Sequence, residues 1–121
     1  MSDLLTEKII GAAIEVHRVL GPGLMEAIYE EALCIELEQR CIHYQRQVEK
    51  DAIYKGHAIK GQRLDLLVEN EVVVELKSVA KLPEVATAQV LSYLKATGLK
   101  RALLINFGNP RLVDGVVRLS L

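Results

Sequence analysis

Along the first twenty residues the apolar positions Leu5, Ile9, Ala12 or Ala13, Val16 and Leu20 fall three or four residues apart, the spacing of one helix face. The pattern predicts an amphipathic helix over residues 3–20, with Ser2 or Asp3 placed to cap its first free N–H groups. Gly21-Pro22-Gly23 ends it, because proline cannot continue the hydrogen-bond ladder and glycine turns readily into the left-handed region. A second helix is predicted over residues 25–39, with Ile28, Ala32 and Ile35 on its apolar face and Leu33 and Leu37 widening it.

The period then changes. Ile42, Tyr44, Val48, Ile53 and Ile59 sit in short segments divided by Lys50-Asp51 and Lys55-Gly56-His57, as antiparallel strands joined by tight turns would. Two strongly apolar strands follow at 63–68 and 72–77, separated by Glu69-Asn70-Glu71. After Pro83 a third helix is expected over 84–96, stopped by Gly98, and 102–106 reads as a strand buried on both faces. Residues 116–119 add an edge strand. Two helices, several strands, a helix and further strands make one α/β (α+β) domain over residues 1–121.

Composition narrows the class. Of 121 residues, 50% are hydrophobic, too many for a disordered chain. No apolar run is long enough to span a bilayer, so no membrane role is expected. Asp3, Glu7, Lys8, Glu15, His17 and Arg18 interrupt any leader-like apolar region, which points to a cytoplasmic protein. Cys34 and Cys41 stand seven apart without zinc-site neighbours, and read as free thiols in buried, small apolar roles. The aromatic residues, four Tyr and one Phe, are too few for a base-stacking platform, and a net charge of −1 leaves no general basic footprint for nucleic acid.

Three ionisable residues nevertheless interrupt the core-like strands: Asp65, Glu75 and Lys77. Strand side chains alternate, so Glu75 and Lys77 share a face. Burying charge is unfavourable unless it pairs or binds a metal. One reading is a pair of ordinary salt bridges on a half-exposed sheet face. The other is an all-oxygen site for Mg²⁺ or Mn²⁺, built from Asp65, Glu75 and the Leu76 carbonyl, with Lys77 beside a metal-bound water. The second reading makes a geometric demand. A two-residue turn would put Asp65 opposite Val74, and the two acids on different faces. A three-residue turn, Glu69-Asn70-Glu71, pairs Val68 with Val72 and sets Asp65 opposite Glu75. Asn70 or Glu71 would then take a left-handed bulge conformation.

Two helical groups bear on the choice. Glu26 and Tyr29 lie three apart at the start of the second helix, with Glu30 beside them; Glu26 could equally serve the helix dipole, and Tyr29 the core. Gln89 and Tyr93 lie four apart on the third helix and offer an amide and a phenol to one site, or else a solvated Gln and a core Tyr. His17, His43 and His57 are scattered over different elements and read as structural or solvated.

Taken in order, Gly21-Pro22-Gly23, Glu26, Tyr29, Tyr54-Lys55-Gly56, Asp65-Leu66-Leu67-Val68, Val74-Glu75-Leu76-Lys77, Ala88-Gln89, Tyr93 and Leu104-Ile105-Asn106-Phe107-Gly108 resemble the GxxExxY proteins. These are small bacterial and archaeal domains of the PD-(D/E)XK nuclease superfamily. The resemblance implies a restriction-endonuclease-like core, a mixed central sheet flanked by helices. It implies a Mg²⁺- or Mn²⁺-dependent nuclease acting on DNA in preference to RNA. Asp65 and Glu75 then resemble the metal-binding acids, Lys77 the catalytic lysine, Glu26 the first-helix acid, and Gln89 and Tyr93 the site-lining pair. The histidine that often precedes that Gln is missing, since Val85-Ala86-Thr87 stands there. The competing class is a non-catalytic module of the same fold that binds a protein or nucleic-acid partner. A homodimer would enlarge so small a binding surface. Arg63, Lys60, Lys81 and Lys95 are the candidate phosphate contacts.

Overall fold

The computed structural model describes residues 3–121. Helix α1 (Leu4–Leu20) starts where expected: the Asp3 carboxylate accepts from the Leu5 N–H at 3.0 Å and caps it. The alternative cap, Ser2, lies outside the described residues. Ile9, Ala12, Ala13 and Val16 are buried as predicted, whereas Leu20 at the helix end is exposed.

Helix α2 (Glu26–Gln39) corrects the predicted face. Ile28 and Ile35 are exposed, and the buried set is Tyr29, Glu30, Leu33, Cys34 and Leu37. Apolar residues occur around most of this helix, so spacing alone does not select the inner side. Tertiary partners select it. Tyr29 stacks on Phe107 at 4.5 Å, and the buried Glu30 carboxylate accepts from Arg46 at 2.9 Å and Gln47 at 2.8 Å. Cys34 is buried and Cys41 exposed; both are free thiols, so the expectation of burial holds only for the first.

The strand region is simpler than the short segments predicted. Strands β1 (Tyr44–Tyr54) and β2 (His57–Val68) form one long hairpin around Lys55-Gly56, both residues in left-handed conformation. Lys50-Asp51 marks a register irregularity within β1 and no break. Strand β3 (Val72–Lys77) is antiparallel to β2, β4 (Arg101–Asn106) parallel to β3, and β5 (Val116–Ser120) antiparallel to β4, so spatial order follows chain order. Helix α3 (Val85–Thr97) makes the crossover that the parallel pair needs and ends on left-handed Gly98. The last five residues of β4 are buried on both faces, and β5 is an edge strand, as is β1 on the other side.

Two apolar layers cover the sheet. Leu66, Val68, Val74, Leu76 and Ile105 pack under α1 and α2, while Leu67, Val73 and Leu104 pack under α3. The result is a five-stranded mixed sheet with three helices, the α+β arrangement of a restriction-endonuclease-like core.

Candidate functional site at the end of the β2–β3 hairpin

The turn between β2 and β3 has three residues. Val68 pairs with Val72 and Leu66 with Val74, so Asp65 and Glu75 are the next opposed positions. Glu69 and Asn70 hold the positive φ angles, 52° and 55°; Asn70 behaves as expected, and Glu69 takes the place anticipated for Glu71. The backbone pairing stops at Leu66 and Val74. Beyond it the Leu76 N–H is met by a side chain: Asp65 Oδ2 accepts it at 2.8 Å. The Lys77 carbonyl accepts from Phe107 N–H on the β4 side. Alternation therefore turns the Leu76 peptide, carbonyl included, toward β2 and Asp65.

Glu75 is only 5% exposed. One of its oxygens lies 3.8 Å from Lys77 Nζ, and the other, Oε1, is buried with no hydrogen-bond partner. An isolated buried carboxylate oxygen is unfavourable. Burial, first, and then the Asp65 carboxylate beside it push the Glu75 pKa up to about 8, against the pull of Lys77. Glu26, at the first turn of α2, is exposed yet close enough that burial and the charge of Asp65 raise its pKa too. Tyr93 on α3 is buried; burial and then the charges of Glu75 and Asp65 raise its phenol, with the amide of Gln89 opposing. Gln89 itself is exposed. The fold thus gathers Glu26, Asp65, Glu75, Lys77, Gln89 and Tyr93 around one end of the sheet.

Two carboxylates, one of them with an unpartnered oxygen, and a peptide carbonyl form a hard-oxygen donor set that fits Mg²⁺ or Mn²⁺. Among the described residues no three His, Cys, Asp or Glu side chains converge as a ready cation cage. Glu26 accordingly stands off from the pair.

The sequence did not reveal what holds these groups in place. The Tyr29 hydroxyl accepts from Leu24 N–H at 3.1 Å and donates to the Gly21 carbonyl, closing the loop that leads into Glu26. Ser78 Oγ donates to the Leu24 carbonyl at 2.6 Å, tying the residue after Lys77 to that loop. Asn106, fully buried and paired with Lys77 in the β3–β4 ladder, grips Val79. Its amide oxygen accepts from Val79 N–H at 3.0 Å and Gly108 N–H at 3.1 Å, and its nitrogen donates to the Val79 carbonyl at 2.9 Å. The only signal was a polar residue ending an otherwise apolar strand. His17 is likewise structural, within 2.9 Å of the Asn109 carbonyl.

A search of the curated proteins and of the solved structures finds no match to this chain. Among the described residues, no helix is long and apolar enough to cross a membrane. A scan against protein-family models matches the PD-(D/E)XK nuclease superfamily over residues 3–119, nearly the whole chain. With that match and the mixed sheet that carries opposed acids and a Glu-x-Lys strand, the chain belongs to the PD-(D/E)XK nuclease superfamily.

Proposed function

We propose that this chain is a GxxExxY-type member of that superfamily. In this reading residues 1–121 act as one domain, a divalent-metal-dependent phosphodiesterase with DNA favoured over RNA as substrate. The observation that carries the reading is the Glu75 oxygen, buried without a partner, directly across the hairpin from Asp65 and beside Lys77. A salt bridge explains only one of the Glu75 oxygens, and a long one.

Asp65, Glu75 and the Leu76 carbonyl would hold Mg²⁺ or Mn²⁺, with Glu26 completing the shell through water. When bound, the ion supplies charge that polarises a phosphate oxygen and acidifies a water. Lys77 Nζ, on the Glu75 side of the site, would orient the attacking water and stabilise its oxygen as the proton passes to bulk solvent. Tyr93 and Gln89 present a phenol and an amide from α3 to position the phosphate. Asp65 is oriented by the Leu76 N–H, which leaves its other oxygen for the cation.

The test is a cleavage screen over single-stranded, duplex and flapped DNA and RNA, with Mg²⁺ or Mn²⁺ and with Lys77→Ala as control. Metal-dependent cleavage lost in Lys77→Ala supports the reading. Cleavage that persists unchanged in that variant overturns the mechanism, and no cleavage of any substrate overturns the activity.

The absence of a caging third acid among the described residues favours a second reading, a nuclease-fold module that binds nucleic acid without cutting it. Calorimetric titration with Mn²⁺ separates the two: binding that disappears in Glu75→Ala belongs to the enzyme, and no binding in wild type to the module.

A further inference from the structure

The β1–β2 hairpin outgrows the sheet. Only Leu66, Leu67 and Val68 of β2 pair with β3, while β2 continues to pair with β1 as far as His57 opposite Tyr54. Residues 49–63 are therefore a two-stranded ribbon, roughly 20 Å long at about 3.3 Å per residue, reaching beyond Val48 and Leu64, which still pack in the core. At its base Lys60 and Gly61 together oppose Asp51, with Gly61 at φ 133°, a bulge of the kind that bends and twists a ribbon. Beside it lies a cleft of about 600 Å³ lined by Lys60 and Arg63, by the acids Glu49, Asp51 and Asp65, and by Tyr93. The arm therefore leads directly into the candidate site.

Two features of the ribbon have no use within the fold. Ile53, Tyr54 and Ile59 at its tip are 69%, 60% and 50% exposed; Tyr54 and Ile59 share one face of the ribbon and Ile53 lies on the other, and apolar groups side by side on an exposed element mark an interaction surface. The segment 49–63 also carries Lys50, Lys55, Lys60 and Arg63 against Glu49 and Asp51. Among the described residues none of those four cations is in an ion pair. Helix α2 has the reverse make-up, with five Glu and no Lys or Arg. The net charge of −1 thus conceals a cationic arm and an anionic helix.

We propose that the ribbon is an arm that grips duplex DNA in the major groove beside the scissile phosphate. The proposal takes its substrate class from the phosphodiesterase reading above. A two-stranded ribbon fits the B-form major groove, about 12 Å wide. The deep, narrow major groove of A-form RNA does not admit it. Single strands call for stacked aromatic platforms, and the arm has only Tyr54 and His57, opposed at its tip. Lys55 and Lys60 reach phosphates on either side, and Tyr54 and Ile59, which share one face of the ribbon, meet the apolar base edges and methyl groups on the groove floor.

The test is fluorescence anisotropy with a labelled DNA duplex in chelator, where no cleavage occurs, over a range of salt concentrations. Wild type is expected to bind. Lys55→Ala with Lys60→Ala should weaken binding about tenfold and flatten the plot of log Kd against log salt by about two, near one for each phosphate no longer neutralised. Tyr54→Ser with Ile59→Ser should weaken binding severalfold at unchanged slope, and the RNA duplex of the same sequence should bind at least tenfold more weakly than DNA. Circular dichroism checks folding, and Lys55→Glu alone, at the turn, serves should a double variant fail to fold. Arm variants that bind as wild type does, equal affinity for the RNA duplex, or no binding by wild type would each overturn the arm. If the arm variants bind normally while Lys77→Ala abolishes cleavage, the arm is wrong and the phosphodiesterase stands. Arm-dependent binding without cleavage by wild type upholds the arm and removes the phosphodiesterase.

Discussion

Asp65 and Glu75 face each other across the β2–β3 hairpin, yet their oxygens are treated unequally: Asp65 accepts the Leu76 N–H, while Glu75 keeps one buried oxygen without a partner. The asymmetry divides the work of the pair. Asp65 is held in place by the backbone, and Glu75 carries the unfavourable electrostatics.

The first consequence is a pH dependence. The Glu75 pKa rises from 4.5 to about 8 on folding, so between those values the folded chain holds a proton that the unfolded chain has lost. Stability from this group is full below the unfolded value and is lost as pH rises through about 8. At about 1.4 kcal/mol per pKa unit the loss is on the order of a few kcal/mol. Urea denaturation of Glu75→Gln against wild type should show the variant gaining on wild type as pH is raised from 5 to 8. Parallel pH profiles for the two proteins would contradict this.

A divalent cation should cancel the same penalty. Added Mg²⁺ or Mn²⁺ should raise the melting temperature of wild type more at pH 8 than at pH 5, because binding favours the ionised pair. Asp65→Asn with Glu75→Gln should show no such shift. Equal shifts in both proteins would place the cation elsewhere.

Asn106→Ala leaves the N–H groups of Val79 and Gly108 without their acceptor inside the protein. Each unsatisfied buried group is unfavourable by about 1–3 kcal/mol. The variant should lose about 3 kcal/mol in equilibrium unfolding, and any cleavage should fall with it because Val79 follows Lys77 by two residues. A loss under about 1 kcal/mol would show that water replaces the amide.

Tyr29→Phe keeps the stack on Phe107 and removes only the hydroxyl that closes the Gly21–Leu24 loop. A stability loss of about 1–2 kcal/mol is expected. Metal affinity should weaken far less than in Asp65→Asn, since Tyr29 acts through the loop and not on the ion. An affinity loss equal to that of Asp65→Asn would make Tyr29 part of the site itself.

The register of the two acids was readable from the chain because it depends on local facts alone: alternation along a strand and the length of one turn. The third helix and the buried β4 strand were readable for the same reason. The inner face of α2 was not, since it is chosen by Phe107, Arg46 and Gln47, all distant in sequence. The long hairpin was missed because Lys50-Asp51 looks like a break. A ribbon wet on both sides carries polar residues on both, and its alternation signal is lost. The scaffold around the site escaped notice likewise, because the Asn106 grip on Val79 spans 27 residues and no spacing rule announces it.

The three-residue turn at Glu69-Asn70-Glu71 also settles a question of parity. Val72, Val73 and Val74 are all buried, so both faces of β3 are greasy and the core would accept either of them upward. A hairpin slipped by one position would keep every valine covered, but it would send Asp65 and Glu75 to opposite sides of the sheet and drive a charged side chain into an apolar layer. The valines are indifferent to that error, and it is Leu76, buried under α1 and α2, that opposes it, because its place would pass to Glu75. The chemistry therefore rests on an odd number, and inserting or deleting one residue at an exposed loop would separate the two acids and also destabilise the sheet, by putting a charge where Leu76 is buried.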